Sequence, residues 1–356
     1  MFYVVAAAAF AAQLFAKEPM ATAQARDPLA DKKLGEAIVV GNLTVYPVYA
    51  TGRTPKMDYT TLDEAQAAKE ITVSEISEGG SVNQVKVRYV GKKPLFLLGG
   101  ELILGGKQDR IIAFNMILQP TAADQLVACY CVEHGRWQSR AADRVQGQTV
   151  SGVSFAAGGA AVSKNVRAKA QAANPSAQTE VWDEVAKKSV ETRATLRAVA
   201  TPAAADTYSR EAATGTYRAN LTNVEVAQKV GKTQMQIDAK LKGDRLVGFV
   251  AGINGEVSGV EIAGSPELFA KVKDKLLKAY VFDAVSQPQP KNEALLEKKV
   301  REFGRGVANG KIAAQTNASG KYYENGCVTW AAGDRKEKAG FISRDKSNNE
   351  TAFESY

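Results

Sequence analysis

The stretch PLFLLGGELILGGKQDRIIAFNMIL, residues 94–118, decides how the first half of the chain is expected to fold. Its apolar runs are short, and Gly-Gly pairs or a short polar segment separate them. Runs of this length between glycines are typical of strands joined by tight turns. We therefore predict that this part of the chain forms consecutive strands.

The glycines in the same stretch also resemble a phosphate-binding loop, but the spacing excludes one. Such a loop needs a second glycine followed directly by Lys and then Ser or Thr, whose hydroxyl reaches the magnesium ion. Gly100 and Gly105 have the required separation, yet Gly106 stands before Lys107 and Gln108 occupies the hydroxyl position. Phosphate binding by this mechanism is therefore not predicted.

Strand-like segments continue on both sides of this stretch and point to a β-rich first half. One helix, TLDEAQAAKE, is predicted from its threonine cap and early acidic residues. The flanking strand-like segments, rich in β-branched residues, are AIVVGNLTVYPVYA (37–50), ITVSEIS (71–77), NQVKVRYV (83–90) and QLVACYCVE (125–133). We expect a β-sandwich or barrel-like half over residues 26–150.

The second half mixes helices with a hairpin, so the fold class predicted for the whole chain is α+β. Residues 151–178 are rich in Gly, Ala and Ser and are predicted to be a linker or mobile loop. An α+β half is expected over 179–341, with a hairpin turning at Asn254-Gly255 and a helix capped by Ser265. Residues 342–356 are predicted to be a polar tail.

The composition is that of an ordinary globular protein with a moderate excess of positive charge. The 356 residues are 45% hydrophobic and 24% charged, and the formal net charge is +8. The basic residues are spread along the chain and form no nucleic-acid-binding motif, so we predict anionic small-molecule partners rather than nucleic acid. Protein partners are not indicated.

The first 25 residues have the features of a secretory signal peptide. An apolar run of about 15 residues precedes an Ala-x-Ala sequence, Ala23 to Ala25, just before Arg26. The run is short for a membrane span, so no stable span is expected. Because no Lys or Arg precedes the run, an Ala-rich helix is the alternative. With a signal peptide, the protein would be secreted or periplasmic.

The cysteines and the single histidine give no metal or redox motif. Cys129, Cys131 and Cys327 have neither metal-site nor CxxC spacing. One of the first two forming a disulfide with Cys327, or all three being buried thiols, are the open alternatives. No cofactor and no metal are predicted.

Polar and charged residues are concentrated in two neighbouring predicted strands. The first strand region and its turn contribute Glu101, Lys107, Gln108, Arg110 and Asn115, and the segment CVEHGRW contributes Glu133, His134, Arg136 and Trp137. Strands in a core can bury such charges only if the charges pair with each other or meet a ligand.

Two interpretations of this polar set remain open. In the functional one, Lys107, Arg110 and Arg136 hold an anionic group, because an arginine fork binds carboxylate or phosphate with two hydrogen bonds. Gln108, Asn115 and Trp137 complete the ligand-binding set, and the catalytic candidates are Glu133, Glu101 and His134. In the structural interpretation, Glu101 pairs with Lys107 or Arg110 and Glu133 pairs with Arg136, and the set holds strands and turns together.

Four motifs can be read along the chain: GELILGGKQDR, CVEHGRW, VWDEV and VAGINGEVSGVEIAG. Together they resemble the ARG and rhodanese-phosphatase-superfamily-associated protein domain family. The resemblance covers residues from about 35 to 335. It places the family's motif positions on Glu101, Lys107, Gln108, Arg110, Cys131, Glu133, Gly135, Arg136 and Trp137. The family usually has Gln where His134 stands and His where Trp330 stands, which weakens a catalytic role at either position. The resemblance implies no specific reaction.

The leading hypothesis is a secreted or periplasmic protein that binds a small anionic ligand, phosphate- or ribose-bearing, through the Arg/Lys/Glu cluster. Hydrolysis by Glu133 or Glu101 is an open extension of it. The alternative is a non-enzymatic envelope scaffold or interaction protein in which the cluster is an internal salt-bridge network.

Overall fold

The computed structural model describes residues 27–139, 141–172, 176–309, 327–332, 340–345 and 350–356. The predicted signal peptide, residues 1–25, lies outside the described residues. The segment KYYENGCVTWAAGD (321–334) also predicts a hairpin, and much of it lies outside them as well. Of Cys327 and Trp330 the structure describes the backbone.

Strands and helices alternate in blocks along the chain. The strands are β1 (Lys32–Leu34), β2 (Ile38–Val40), β3 (Leu43–Ala50), β4 (Thr60–Thr61), β5 (Ile71–Glu75), β6 (Gln84–Tyr89), β7 (Leu95–Leu97), β8 (Glu101–Gly105), β9 (Arg110–Ile112), β10 (Met116–Leu118), β11 (Thr121–Cys131), β12 (Asp143–Val145), β13 (Gln148–Val150), β14 (Ser154–Ala161), β15 (Leu246–Ile253), β16 (Glu256–Ala263), β17 (Cys327–Ala332), β18 (Gly340–Asp345) and β19 (Thr351–Ser355). The helices are α1 (Leu62–Ala67), α2 (Lys164–Ala172), α3 (Ala177–Val199), α4 (Pro202–Glu211), α5 (Ala219–Thr222), α6 (Val224–Asp238), α7 (Pro266–Val285) and α8 (Glu297–Asn309).

The strands form a closed barrel and a large sheet, which confirms the predicted α+β class and the barrel-like first half. The barrel has the strand order β11-β6-β5-β14-β8-β9. The large sheet has the order β1-β3-β15-β16-β19-β18-β17, with β2 paired to β3. Strands β10, β7 and β4 form a small sheet, and β12 pairs with β13.

Strands from the two predicted halves of the chain pair within one sheet, so the halves are not separate structural units. Strand β3 pairs with β15 along its length, with Tyr46 opposite Val250. The first strands of the chain therefore belong to the same sheet as the hairpin of the second half. Pairings of this kind join segments about 200 residues apart and leave no local pattern in the sequence.

The prediction of a linker over residues 151–178 was wrong for the described part of that segment, which supplies barrel strand β14 and helix α2. Strand β14 pairs with β5 and β8, and Ala157 is fully buried. Its small residues allow close packing: a Cβ at Gly158 would lie 2.8 Å from Cβ of Leu102. The Gly/Ala composition therefore reflects tight packing inside the barrel rather than mobility.

The prediction of a polar tail over 342–356 was also wrong for the described part of that segment. Strand β19 pairs with both β16 and β18, and Phe353 is 1% exposed. Its backbone hydrogen bonds and its apolar side chains place it inside the large sheet.

Several local signals produced the structures they predicted. Thr61 and Glu64 form a capping box at the start of α1. Asn254 and Gly255 have φ angles of 55° and 77° at the β15–β16 turn, as a type I′ turn requires. Ser265 caps α7 by accepting a hydrogen bond from the Leu268 N–H.

Helix α7 is the central helix of the fold and packs between the large sheet and the barrel. Tyr280 and Phe269 of α7 pack edge-to-face against Phe249 of β15, with centroid distances of 5.3 and 6.1 Å. Burial of aromatic side chains on this scale is a main source of folding free energy. Within the described residues, no helix is both long and apolar enough to cross a membrane.

Candidate functional site

The two Gly-Gly pairs of the opening stretch shape the backbone on either side of β8. Gly100 has a φ of 82°, and a Cβ there would lie 2.1 Å from Cγ of Arg167. Gly106 has a φ of 48°, and a Cβ there would lie 2.2 Å from the ring of Phe155. Both positions need glycine because of backbone conformation and packing, which explains the glycines without a phosphate.

Arg110 is fully buried and forms a bidentate ion pair with Glu75. Its Nη2 donates to both carboxylate oxygens of Glu75 at 2.8 Å, and its Nη1 donates to the backbone oxygen of Gln84 at 3.0 Å. The guanidinium also lies 5.2 Å from the ring centroid of Phe155. The fork that would bind an anionic ligand is therefore occupied by a carboxylate of the protein itself.

Arg136 and Glu133 form a second internal pair, as the structural interpretation predicted. Arg136 Nη2 lies 2.6 Å from Glu133 Oε2 and 3.5 Å from Asp109 Oδ1. The same guanidinium donates to the backbone oxygens of Gly106 and Gly105 at 2.8 and 3.2 Å. Arg136 thus fastens the turn after β8 to the segment that follows β11.

The remaining contacts of Glu133 fix the turn between β8 and β9. Glu133 Oε2 accepts a hydrogen bond from the Asp109 N–H at 3.0 Å, and Oε1 accepts one from the Thr214 hydroxyl at 2.9 Å. Gln108 is buried, and its side-chain amide donates to the backbone oxygen of Glu133 at 2.9 Å. With both oxygens of its carboxylate engaged and 1% exposure, Glu133 is held as a structural acceptor.

The motif residues Cys131 and Gly135 make hydrogen bonds on either side of Glu133. Cys131 Sγ accepts a hydrogen bond from the Glu133 N–H at 3.3 Å. The Gly135 N–H donates to the backbone oxygen of Thr214 at 2.7 Å, and a Cβ at Gly135 would lie 3.0 Å from that oxygen. The segment before α5 therefore lies directly against the motif backbone.

Glu101 points away from this network and pairs with α7. Its carboxylate binds the Nζ of Lys275, which also lies 2.6 Å from Asp63 Oδ2 of α1. Burial disfavours the charged form of Lys275, but the carboxylates of Glu101 and Asp63 outweigh burial and raise the pKa of Lys275. The partners expected for Glu101, Lys107 or Arg110, are not the ones observed.

Asn115 is also buried apart from the arginines. Its Oδ1 accepts a hydrogen bond from the Gly99 N–H at 2.8 Å, and its Nδ2 donates to the Ser343 hydroxyl at 2.8 Å. Asn115 therefore connects the small sheet to β18 of the large sheet.

Three of the predicted site residues lie at or near the surface. The Lys107 ammonium lies 5.6 Å from the ring centroid of Trp137, and Trp137 is 43% exposed. His134 is exposed and packs edge-on against Trp182 of α3, with 4.2 Å between ring centroids. The nine predicted residues therefore divide among an internal network, the interface with α7, the separate contact of Asn115 with β18, and the surface.

Sequence reasoning missed Glu75, Asp109 and Lys275, which complete these networks. Asp109 lies inside the quoted motif, so its position between Gln108 and Arg110 was a usable signal. Glu75 and Lys275 are 35 and 174 residues from their partners Arg110 and Glu101, and only strand pairing and helix packing bring them together.

A pocket of about 650 Å³ opens directly outside the Glu101–Lys275 pair. Its lining comes from α1, the β12–β13 hairpin, α6 and α7, and it includes Lys271, Lys275 and Lys278 on one face of α7. Glutamine side chains surround these lysines: Gln66, Gln146, Gln148 and Gln234. Two carboxylates also line it: Asp63, which binds Lys275, and Asp274, which lies 3.3 Å from Lys273. The pocket therefore combines three lysines and two carboxylates with amide groups that can donate and accept hydrogen bonds.

Lys278 differs from the other two lysines of the pocket in having no ion-pair partner among the described residues. Lys271 lies 3.0 Å from Glu64, and Lys275 is bound by Glu101 and Asp63. Burial lowers the pKa of Lys278. A partly buried ammonium without a counter-ion favours an anion placed beside it.

Two of the three cysteines, Cys129 and Cys131, are buried thiols, and the side chain of Cys327 lies outside the described part of the structure. Cys129 and Cys131 are free and buried, and burial raises their pKa values to about 12 and about 11. Among the residues that the structure describes, no group of three or more His, Cys, Asp or Glu side chains is placed to hold a metal ion.

Comparison with known proteins identifies the family. The model of the ARG and rhodanese-phosphatase-superfamily-associated protein domain, ARPP-1, matches residues 31–336, so the chain belongs to this family. No curated protein and no solved structure matches the chain. The matched residues include the barrel, the pocket on α7, and all strands of the large sheet except β18 and β19, which follow residue 336.

Proposed function

We propose that this protein binds a small anionic ligand, phosphate- or ribose-bearing, in the pocket formed by α1, the β12–β13 hairpin, α6 and α7. The observation that carries the proposal is Lys278, a partly buried ammonium that lies in a pocket of about 650 Å³ and has no counter-ion among the residues described by the structure. A phosphate or carboxylate group beside Lys278 would supply the missing negative charge.

The amide groups around Lys278 support a ligand that also carries hydroxyl groups. Gln146 and Gln148 extend from the hairpin on one side, and Gln234 lies on α6 on the other. Amides offer both donors and acceptors, which suits a sugar better than an apolar ligand. The volume is in the usual range for small-molecule sites.

Glu101 would act in this site by positioning rather than by touching the ligand. It binds the Nζ of Lys275 at the base of the pocket, and Lys275 in turn binds Asp63 on α1. The pair fixes α7 against α1, so the spacing between the two pocket walls depends on it. This role would account for a buried glutamate at a motif position.

Arg110 and Arg136, the arginines first expected to hold the ligand, are replaced in this proposal by Lys278. Both guanidinium groups already bind carboxylates of the protein, and Arg110 is fully buried. Lys107 and Trp137 do not line the pocket, and neither do the catalytic candidates Glu133 and His134. The proposal is therefore of binding and includes no catalytic step.

A thermal-shift titration tests the proposal with inorganic phosphate, ribose 5-phosphate, ADP-ribose and, as an uncharged control, ribose. We expect saturable stabilisation by at least one phosphorylated compound, up to about 2.7 kcal/mol at a hundredfold excess over Kd. Lys278→Met should abolish the shift. Lys187→Met, which removes an exposed lysine from α3, should keep it.

Two results would contradict the proposal. One is the absence of any saturable shift with the wild-type protein for all three anionic compounds. The other is an equal shift in the Lys278→Met variant, which would place the anion elsewhere.

A second candidate function is a non-enzymatic scaffold or interaction protein of the cell envelope. The ion pairs of Arg110 with Glu75, and of Arg136 with Glu133 and Asp109, favour it, because they use the motif charges to join strands and turns. Failure of the ligand titration would leave this candidate as the better one.

A secreted or periplasmic location is part of the proposal and is supported by the sequence of residues 1–25. The test is N-terminal sequencing of the mature protein from the producing cells. Processing directly before Arg26 is expected, and an intact N-terminus on cytoplasmic protein would contradict it.

A further inference from the structure

A second group of buried charges lies at the start of α2, away from both the motif network and the pocket on α7. Lys164 and Arg167 of α2 meet Glu261 of β16 and Ser355 of β19. All four side chains are at least nine-tenths buried. This buried group thus contains two cations and one carboxylate, which is an unusual charge balance for a purely structural network.

Glu261 is committed to Arg167 rather than to Lys164. Its Oε1 accepts hydrogen bonds from Arg167 Nη2 at 2.6 Å and from the Tyr280 hydroxyl at 2.7 Å. The Lys164 Nζ donates instead to the hydroxyl oxygen of Ser355, at 2.8 Å. A neutral hydroxyl stabilises an ammonium less than a carboxylate does, so the positive charge on Lys164 is poorly compensated.

The electrostatic surroundings favour the neutral amine of Lys164. Burial lowers its pKa to about 8, with the Glu261 carboxylate opposing this shift and the Arg167 guanidinium adding to it. Asp283 of α7 accepts a hydrogen bond from the backbone N–H of Lys164 at 3.2 Å, and its carboxylate lies 2.9 Å from the ammonium of Lys188. Desolvation beside a second cation is a known way to make a lysine nucleophilic near neutral pH.

Lys164 also has an approach from outside. It lines a cavity of about 460 Å³, together with Phe303 of α8, Tyr356, and the polar residues Asn165 and Ser258. The charged residues of the cavity are Glu256 and Lys299, which pair at 2.5 Å, and Glu302, which is exposed. A small molecule bound in this cavity would therefore lie against Lys164, a largely buried lysine.

We propose that Lys164 is a nucleophilic amine that forms a Schiff base with a small aldehyde or ketone bound in this cavity. The Nζ lone pair attacks the carbonyl carbon and gives a carbinolamine. The two amine protons then leave with the carbonyl oxygen as water, and a C=N double bond forms. No oxidant or reductant is needed, and water returns the free amine and the carbonyl compound.

The cavity indicates the kind of carbonyl compound that fits. Phe303 and Tyr356 offer rings for an apolar part, while Asn165 and Ser258 offer hydrogen bonds. Because Lys299 is paired with Glu256, this cavity carries no unpaired cation besides Lys164 itself among the described residues. A short uncharged aldehyde is therefore the appropriate probe.

The experiment uses the whole wild-type protein with limiting butanal and cyanoborohydride, which reduces the C=N bond to a stable secondary amine. Peptide mapping by mass spectrometry then compares adduct formation at Lys164 with that at Lys187, an exposed lysine of α3. Near neutral pH, the deprotonated fraction of a lysine with a pKa of about 8 is more than about a hundred times that of an ordinary lysine. We expect Lys164 to be labelled at least about tenfold faster than Lys187, with a half-maximal rate near pH 8.

Equal or slower labelling of Lys164 would overturn the proposal, as would a labelling rate at Lys164 that rises with pH in parallel with the rate at Lys187. A second measurement uses Lys164→Arg, which keeps a positive charge but has no amine. This variant should melt cooperatively and lose the fast adduct. Fast labelling that persists in it at another lysine would assign the reactivity elsewhere.

Discussion

The ion pair between Arg110 and Glu75 gives the most direct test of whether the motif charges are structural. Both side chains are fully buried, and two hydrogen bonds of 2.8 Å join them. Removing one member of such a pair leaves an uncompensated buried charge and costs about 3–5 kcal/mol, whereas replacing both can be nearly neutral. We therefore expect Arg110→Met to lower the free energy of unfolding by about 3–5 kcal/mol. Combining it with Glu75→Gln should recover much of this loss.

The assay is a double-mutant cycle measured by urea unfolding at low and high salt. The exposed pair of Arg88 and Asp124, at 2.9 Å, is the matched control. Its coupling free energy should be about 1 kcal/mol or less and should fall with salt, because both side chains are well exposed. The coupling at Arg110–Glu75 should be larger and insensitive to salt. A coupling no larger than that of the surface control would refute the view that this network holds the barrel together.

Three further predictions follow from buried groups. The pKa of Lys164 is about 8 in the folded state and near 10.4 in an unfolded chain, so the unfolded state binds more protons between these pH values. The free energy of unfolding of wild type, measured in urea, should therefore rise by as much as about 3 kcal/mol relative to that of Lys164→Met between about pH 8 and about pH 10.4. A difference between the two proteins that does not change with pH would contradict this. Gly100→Ala should destabilise the protein by at least about 1–2 kcal/mol, because Gly100 has a φ of 82° and a Cβ there would meet Arg167. Gly231→Ala on α6, where a Cβ would meet no other atom within 4 Å, should stabilise the protein by about 0.5–1 kcal/mol. Equal changes in melting temperature for the two variants would count against the argument. Cys129 and Cys131 should resist alkylation in the native state and react in urea, and rapid native labelling mapped to either would show that they are not buried thiols.

The elements predicted well from sequence are those whose signals lie within a few residues. The capping box of Thr61 and Glu64, the Asn254-Gly255 turn and the Ser265 cap each depend on local backbone conformation. A local conformational preference is encoded where it acts, so the sequence alone is sufficient to predict it.

The elements predicted poorly are those that depend on distant partners. Strand β14 has Ala and Gly where strands usually have β-branched residues, and it forms because β5 and β8 pair with it on both sides. Strand β19 is short and polar at its ends, yet it completes the sheet between β16 and β18. In both cases tertiary pairing overrides the intrinsic preference of the segment.

The same distinction applies to the candidate site. The pair of Glu133 and Arg136 was predictable because the two residues are three positions apart. The partners of Arg110 and Glu101 were not, because strand register places Glu75 beside the first and helix packing places Lys275 beside the second. Lys278 carried no signal at all in the sequence, since its distinction is the lack of a counter-ion among the described residues.

The structure gives the motif charges a role in joining parts of the fold. Arg136 holds the turn after β8 through the backbone oxygens of Gly105 and Gly106, and Arg110 holds the adjacent strand to Glu75. At the opposite end of β8, Glu101 holds α7 through Lys275. One short strand is therefore fixed at one end by the ion pair of Glu101 with Lys275 and at the other by hydrogen bonds from Arg136, and it connects the barrel to the helix that carries the pocket lysines. Because Lys275 binds both Glu101 of β8 and Asp63 of α1, α7 cannot shift along α1 without breaking these contacts.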